Sequence, residues 1–308
     1  MMKMSLKFLS IGLAVFVAGC DTTSNSLHED EVIVESYLIS GEELPEVRLS
    51  LSTSIDAIYN ATALGIRDAT VSISLLTASG AVESEFGFVH NPARPGIYEP
   101  VAGHVILPER TYALAATVPG HGIVTAQTIV PGQFNIERLS ANTVQYKGPL
   151  QFEQDVTESV YPNRQSVFVF TLEALDPNIA DLTPLYLDAI YEISSGEEFD
   201  PDSLDASELE EFFLNASPPI NEGNYVQNSD GTLTIALPWF AIAFYGESNV
   251  LTSAIDDSIF DFMRYQQVQQ GGSTLSPGEI PNVLDHIEGG RGVFGSVARV
   301  SSVVNVTR

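Results

Sequence analysis

The chain has 308 residues, one cysteine, and 40 acidic against 13 basic side chains, for a formal net charge of −27 at pH 7. Such a balance excludes nucleic acid and anionic lipid as partners bound through a basic face. Hydrophobic residues make up 44% of the sequence and charged ones only 17%. The chain is therefore globular, and its length predicts two domains.

The N-terminus combines a basic start with a short apolar run. Lys3 and Lys7 precede the apolar residues 8–19, which end in small residues directly before Cys20. Because a spanning helix needs about 20 apolar residues, this run predicts a cleaved secretory signal over residues 1–19. The junction resembles a bacterial lipobox, which predicts that Cys20 is acylated. An ordinary signal followed by a chance cysteine is the alternative.

Acylation of Cys20 would place the protein at a membrane surface. Two or three acyl chains anchor a protein stably, because each buried methylene contributes about 0.8 kcal/mol. Since Cys20 is the only cysteine, no thiol would remain for a disulfide, a metal ion or a nucleophile. The polar residues 20–30 lack apolar periodicity and predict a flexible tether.

Residues 31–131 are predicted to form an immunoglobulin-like β-sandwich. Apolar and polar residues alternate in short segments, separated by Gly, Pro, Asn and Ser, as in half-buried antiparallel strands. The segments are EVIVESYLI, VRLSL, TVSISLL, TYALAATV and GIVTAQTIV. The Cys–Trp–Cys pattern of antibody domains is missing, so the analogy is limited to architecture.

A hinge is predicted over residues 131–142, followed by a second β-rich domain over 140–308 with one or two short helices. Its predicted strands are SVFVFTLEAL, LYLDAIYEI, LTIALPWFAIAF (interrupted by Pro238), and one or two strands in GVFGSVARVSSVVNV. One helix is predicted from Ser207 to Leu214. A second is expected after Asp256 or Asp257, either of which could cap its first turn.

The order of these segments is similar to that of the DUF4249 lipoproteins of Bacteroidota. The resemblance is carried by VIVESYLISGEELPEVRLSLS near the start and, most specifically, by IEGGRGVFG at residues 287–295. It implies a lipid-anchored outer-membrane protein, palmitoylated at Cys20, on either face of that membrane. Members of the family are often encoded beside TonB-dependent transporters, so the resemblance also implies a transporter as a possible partner.

Two segments could bind ions. Gly289, Gly290, Gly292 and Gly295 surround Arg291, which permits an anion-binding nest, but a tight turn with Val293 and Phe294 buried is the favoured interpretation. The acidic residues Asp200, Asp202, Asp205, Glu208 and Glu211 partly match a calcium-binding loop. Because Leu204 and Asp205 occupy positions that need an oxygen ligand and a glycine, a solvated helix start is favoured over a calcium site. High-salt adaptation or solubility explains the excess of acidic residues better than calcium does.

No segment has the pattern of a catalytic or cofactor site. The five histidines, His28, His90, His104, His121 and His286, lack metal-ligand spacing, and no Gly-x-Ser-x-Gly elbow occurs. The densest aromatic group, Trp239, Phe240, Phe244 and Tyr245, could stack on a sugar, although core packing is favoured.

We therefore expect no enzyme activity, metal or cofactor, and an accessory or structural role beside an outer-membrane transporter. The alternative is a direct glycan- or peptide-binding lipoprotein. A third hypothesis is a hydrolase, which would require a His, a Ser and a carboxylate to meet in the folded chain.

Overall fold

A computed structural model describes residues 30–54, 57, 60–193, 213–269 and 286–308. The fold is mainly β, as predicted, with two successive β-rich parts and three helices among the described residues. The signal peptide, most of the tether including Cys20, His28 and the acidic residues 200–211 lie outside the described residues. Leu214, the predicted end of the first helix, instead begins a strand.

Seven strands make up the first part of the chain, and they include all five predicted segments. They are β1 (Val32–Ile39), β2 (Val47–Leu51), β3 (Thr70–Leu76), β4 (Val82–His90), β5 (Ile97–Pro100), β6 (Thr111–Val118) and β7 (Gly122–Ile129). A single helical turn, α1 (Ala61–Leu64), follows β2 and is capped by the side chain of Asn60. The apolar residues that alternate in the sequence are the buried residues of these strands, because one face of each sheet packs on the core.

These strands form two layers around one core, as expected of a sandwich. One layer has the order β1-β2-β5-β4 and the other β4-β3-β6-β7. β4 contributes to both, because its residues 82–87 pair with β3 and its residues 88–90 pair with β5. Burial of large apolar side chains from both layers, among them Leu49, Ile73, Tyr98 and Leu114, provides the main stabilising term.

The rest of the chain adds eleven described strands and two helices. The strands are β8 (Ile136–Leu139), β9 (Thr143–Gln145), β10 (Glu153–Val156), β11 (Val167–Ala174), β12 (Leu214–Ala216), β13 (Ile220–Asn221), β14 (Val226–Gln227), β15 (Leu233–Ala236), β16 (Gly246–Ile255), β17 (Ile287–Glu288) and β18 (Arg291–Thr307). The sheet β12-β11-β16-β18 faces a smaller sheet, β14-β15-β10-β8. A second core lies between them, centred on Phe152, Phe168, Phe170 and Ile235.

The last strand joins the two parts. β18 pairs in parallel with β1 through residues 291–297 and antiparallel with β16 through residues 297–306. Ile287 and Phe294 therefore belong to the first core, although the sequence places them in the second domain. The domain boundary at residues 131–140 stays a prediction. The structure shows in addition that residues 287–297 pair with N-terminal strands.

The glycine-rich segment makes this crossing possible. β17 pairs with β7 in one layer, and two residues later β18 pairs with β1 in the other. Gly292 has a φ of +114°, and a Cβ there would lie 2.1 Å from the carbonyl oxygen of Val34. Val293 and Phe294 are buried directly after the crossing. The expected burial of these two side chains after a tight turn is confirmed, but the expectation that the turn packs against the second domain is wrong for Phe294, which belongs to the first core.

One predicted strand is a helix. Residues 185–193 were expected to alternate as a strand, but α2 (Pro184–Ile193) is helical. Pro184 occupies the first helical position, where its missing N–H removes no hydrogen bond, and the backbone N–H groups of Tyr186 and Leu187 donate to the carbonyl of Thr183. The apolar residues of this segment fit a period of two and a period of 3.6 equally well, so the alternation alone misassigned it.

The second predicted helix is confirmed as α3 (Asp257–Gln269), which covers the outer face of β11, β16 and β18. Asp256 is its cap, because one carboxylate oxygen accepts the backbone N–H of Ile259 at 2.9 Å. Ile259, Phe262 and Met263 pack with Val293 beneath the helix, as their helical spacing predicted. Pro238 ends β15 as expected, and a short 3₁₀ turn over Trp239–Ala241 follows it.

Candidate functional site

Three depressions in the described surface have the size of a small-molecule site, and the largest, about 590 Å³, is a wide, open surface groove beside β18 and β8. The other two are narrower. The first, called here the Asp256 cleft, has a volume of about 380 Å³ between the end of β7 and the start of α3. The second, called the apolar pocket, has a volume of about 370 Å³ between β11–β13 and the segment that follows β15. Both volumes fall at the small end of the range for sites that hold one organic ligand.

Asp256 is the most unusual titratable group in the cleft. Its side chain is 1% exposed, and its second carboxylate oxygen accepts a hydrogen bond of 2.6 Å from Thr128. Burial raises the pKa of Asp256 to about 6, although the hydrogen bonds from Thr128 and from backbone N–H groups oppose this shift. Because the carboxyl is enclosed, it contacts other parts of the protein and not a dissolved substrate.

A short chain of hydroxyl groups extends from this carboxyl. Thr128 Oγ1 lies 2.6 Å from Ser296 Oγ, which donates to the carbonyl of Ile129 at 3.0 Å. Thr128 has one hydroxyl hydrogen, so it cannot donate to Asp256 and to Ser296 at once. When Asp256 is protonated, the carboxyl can donate to Thr128 and the chain runs unbroken to Ile129. The network therefore ties α3 to β7 and β18, which is a structural role.

The cleft also brings together the residue types that a hydrolase would need. His286 Nε2 lies 2.8 Å from a carboxylate oxygen of Asp261, and Ser258 lines the same cleft. Within the described part of the chain no hydrogen bond joins His286 to Ser258, which is itself buried. The contact between nucleophile and base that defines this chemistry is thus not formed in this structure. The hydrolase hypothesis stays a prediction without that geometry.

The apolar pocket lies at an edge of the second core. Phe170 and Leu172 of β11 form one wall, Ile220 and Ala216 a second, and Leu237 with Pro238 a third. None of the described side chains that line it carries a charge, in a chain with a net charge of −27. A charged ligand would find no counter-ion in this lining, so the pocket suits a neutral molecule.

The polar side chains that line the pocket differ in whether they have hydrogen-bond partners within the protein. Asn215 Nδ2 donates to the carbonyl of Ala241 at 3.1 Å, and Ser217 Oγ accepts the backbone N–H of Phe170 and donates to the carbonyl of Pro218. Tyr225 also lines the pocket, and its buried hydroxyl has no hydrogen-bond partner among the described residues. Burial raises the pKa of Tyr225, so the hydroxyl keeps its proton at neutral pH.

The aromatic cluster expected from the sequence is mainly part of the second core. Phe244 is fully buried, and Trp239 and Tyr245 each pack edge-on against Tyr146, at ring-centroid distances of 5.9 and 5.4 Å. Core packing, the favoured interpretation, is therefore correct for these three residues. Glycan or peptide binding stays a prediction. The sequence did not reveal that Pro238 and Ala241, directly before and after the Trp239–Phe240 pair, line the apolar pocket.

The described histidines lie apart from one another. His104 stacks on Phe86 and contacts the hydroxyl of Tyr112 at 2.9 Å, while burial lowers its pKa. His90 lies beside Tyr98 at a ring-centroid distance of 5.4 Å. Over the ranges that the structure describes, no three His, Cys, Asp or Glu side chains converge as metal ligands.

From the sequence, the glycine-rich turn permits an anion-binding nest around Arg291. The guanidinium of Arg291 forms an ion pair with Glu31 at 2.6 Å, so its charge is already paired with a carboxylate of the protein.

The model of one protein family, described as a domain of unknown function (DUF4249), matches residues 20–302. No functionally curated protein matches the sequence. Within the described part of the chain, no helix is both long and apolar enough to cross a bilayer.

Three solved structures overlap parts of the fold at low similarity. Trypsin-activated alpha-2-macroglobulin from Escherichia coli is 10% identical over 74% of this chain and 15% of its own, with a TM-score of 0.21. Salmonella alpha-2-macroglobulin reacted with methylamine is 10% identical over 90% of this chain and 15% of its own, with a TM-score of 0.24. Three N-terminal domains of the bacteriophage RB49 outer capsid protein Hoc are 9% identical over 90% of this chain and 70% of their own, with a TM-score of 0.22. The chain thus spans about 15% of the length of these two macroglobulins.

Proposed function

Because the chain belongs to the DUF4249 family, we propose that it is a lipid-anchored, non-enzymatic protein of the outer membrane that serves as an accessory or structural partner of a TonB-dependent transporter. The observation that carries this proposal is the single cysteine, Cys20, placed directly after an apolar run with a basic start. The family match begins at this same residue. A lipobox-type signal and the mature start of a lipoprotein have this arrangement.

The position of the first strand is compatible with a short anchor. β1 begins at Val32, so eleven residues separate it from Cys20, and the twelve Cα–Cα steps between Cys20 and Val32 can span at most about 40 Å. β1 is held between β2 and β18, with Val32, Val34 and Leu38 buried. An acyl anchor would therefore act on an interior strand of the sheet, close to the bilayer, where the body could contact a membrane-embedded partner.

The anchor is tested by mass spectrometry of the protein extracted from its native membrane. We expect a mature N-terminus at Cys20 carrying acyl chains, and release of a Cys20→Ser variant from the membrane fraction. An unmodified thiol at Cys20, or a mature terminus elsewhere, would contradict the proposal. Substitution of an exposed residue far from the terminus, Asp188→Asn, is the control and should leave the protein in the membrane fraction.

The transporter partnership needs a separate experiment. The tagged wild-type protein, solubilised in mild detergent, is expected to co-purify with an outer-membrane transporter in a fixed ratio. The Cys20→Ser variant should lose most of that partner, because anchoring keeps both proteins in one membrane and raises their effective concentration. Recovery of the wild-type protein only as a free monomer would count against the partnership and leave the anchor untouched.

A further inference from the structure

We infer that the apolar pocket is a binding site for a small, neutral, largely apolar molecule that carries one hydrogen-bonding group, and that Tyr225 supplies the matching group on the protein. The inference is independent of the membrane anchor and of the transporter partnership. It goes beyond the glycan or peptide ligand considered from the sequence, because the chemistry of the lining differs from what either would need.

The shape and lining define the ligand class. The pocket has about 370 Å³ between two layers of the fold, and its walls come from Phe170, Leu172, Ile220, Leu237 and Pro238. An apolar molecule entering it is removed from water, which contributes about 25 cal/mol per Å² of apolar surface buried. A sugar would lose many hydrogen bonds to water and find few replacements, since Asn215 Nδ2 and Ser217 Oγ already have partners within the protein.

Among the described residues that line the pocket, Tyr225 has a buried hydroxyl without a hydrogen-bond partner. Its ring is fixed edge-on against Phe168 and Phe170, at centroid distances of 6.2 and 6.1 Å. A buried hydroxyl without a partner is unfavourable by comparison with a hydrogen-bonded one, so a ligand that donates to it or accepts from it gains that difference on binding. Because the ring is held by its neighbours, little additional order is required when the ligand binds.

The uncharged lining favours a neutral ligand over an anionic one. Among the residues that the structure describes, neither an acidic nor a basic side chain lines the pocket. The protein as a whole repels anions through its net charge of −27. A neutral probe should therefore bind more tightly than the same skeleton with a negative group attached.

The test uses the full chain and two related fluorescent probes. N-phenyl-1-naphthylamine is neutral and has one N–H that can donate to Tyr225, and 1-anilinonaphthalene-8-sulfonate is the same skeleton with a sulfonate. Trp239 is the single tryptophan of the chain and lies between pocket-lining residues Pro238 and Ala241. Energy transfer from Trp239 therefore reports a probe bound near this part of the protein, and the pocket variants described next assign it to the pocket.

Two pocket variants and two matched controls complete the design. Ala216 is an exposed strand residue at the pocket, so Ala216→Phe should obstruct it without disturbing the core, and Ala115→Phe places the same side chain on an exposed alanine of β6. Tyr225→Phe removes the pocket hydroxyl. Tyr146→Phe removes another buried hydroxyl without a described partner; Tyr146 does not line the pocket, and because its ring packs on Trp239, this variant also controls for changes in the fluorescence donor itself.

We expect saturable energy transfer to the neutral probe in the wild-type protein. Affinity should fall by about tenfold or more in Ala216→Phe and by about two- to tenfold in Tyr225→Phe, the range of one neutral hydrogen bond. Both control variants should bind as the wild type does, and the sulfonated probe should bind at least about tenfold more weakly. Thermal midpoints of all four variants show whether each is folded.

Four results would count against the inference. Transfer that does not saturate would mean that the pocket holds no probe. Unchanged affinity in a folded Ala216→Phe variant would place the probe elsewhere. Equal affinity for the two probes would remove the argument from charge, and equal losses in Tyr225→Phe and Tyr146→Phe would remove the assigned role of Tyr225.

Discussion

Gly292 is the residue at which the fold tolerates the least change. Its φ of +114° is a conformation that residues with a side chain rarely adopt, and a Cβ would meet the backbone of Val34. Gly80 also has a positive φ, of +82°, but nothing lies within 4 Å of the position that its Cβ would take. Substitutions at Gly80 and Gly292 therefore separate two free-energy costs, that of placing a side chain at a positive φ and that of a steric clash with the neighbouring strand.

We expect Gly80→Ala to lower the free energy of unfolding by about 1 kcal/mol and Gly292→Ala to lower it by about 3 kcal/mol or more. The additional loss in the second variant comes from the separation that the methyl group would force between β18 and β1. Denaturant unfolding of the two variants and the wild type measures both values. Equal losses would show that the backbone conformation alone determines the requirement for glycine.

Asp256 makes the stability of the protein depend on pH in an unusual direction. Its pKa in the folded protein is raised to about 6 by burial, above the ordinary aspartate value. Between these two values the folded state binds more protons than the unfolded state, so this group lowers stability as the pH rises from about 4 to about 6. The difference amounts to about 3 kcal/mol once both states are ionised.

Asp256→Asn should remove this dependence, because an amide stays neutral and can still accept the N–H of Ile259. We expect the difference in unfolding free energy between the variant and the wild type to move in favour of the variant by about 3 kcal/mol between pH 4 and pH 7. Denaturant unfolding at several pH values measures it. Asp188→Asn, an exposed position on α2, is the control, and a flat difference for both variants would contradict the buried, protonated carboxyl.

At the scale of elements, β18 has two environments along its length. Phe294 is fully buried in the first core, and Val303, nine residues later in the same strand, is 47% exposed. We expect Phe294→Ala to lower the free energy of unfolding by about 3–5 kcal/mol and Val303→Ala to change it by less than about 1 kcal/mol. Chemical denaturation compares the two, and similar losses would show that strand pairing, rather than the core, sets the stability of β18.

Most of the elements could be predicted from the sequence because alternation is a local property. β1, β2, β3, β6 and β7 follow from apolar residues at every second position, and α3 follows from its cap and its helical spacing. The assignment failed at α2, where both periods fit. The short β4 and β5 were not individually identified, because β4 is mostly exposed on both faces and shows little alternation.

The sites could not be predicted in the same way, because they depend on which distant segments meet. Asp256 and Thr128 are 128 residues apart in sequence, so the cap was predictable and the buried network was not. The apolar pocket combines segments around Phe170, Ile220 and Leu237, none of which carries a recognisable motif. Tyr225 has only an ordinary loop context in the sequence, and its unpartnered hydroxyl emerges only from packing.

At the scale of the whole molecule, the C-terminal strand is shared by both parts. Residues 287–297 complete the first core and the sheet beside β1, and residues 297–306 complete the sheet beside β16. We expect a chain ending at residue 286 to lose cooperative unfolding and to become sensitive to protease within residues 32–130. A chain ending at Thr307, which lacks only Arg308, should keep both properties. A protease-resistant N-terminal half in the shorter chain would contradict this coupling.

The pairing of β1 with β18 also determines the time at which the protein can fold. Ile33 pairs with Arg291, so β1, which is synthesised early, cannot complete its strand pairing until β18, which is synthesised last, has been made. Until then, an edge of β1 has unpaired backbone groups that other chains can join, which is a route to aggregation. Contacts between such distant segments also form slowly, because a long loop must close first. Because the proposed location requires export, we expect this chain to depend on a holding chaperone, more than a protein with locally paired sheets would, until β18 has also crossed the inner membrane.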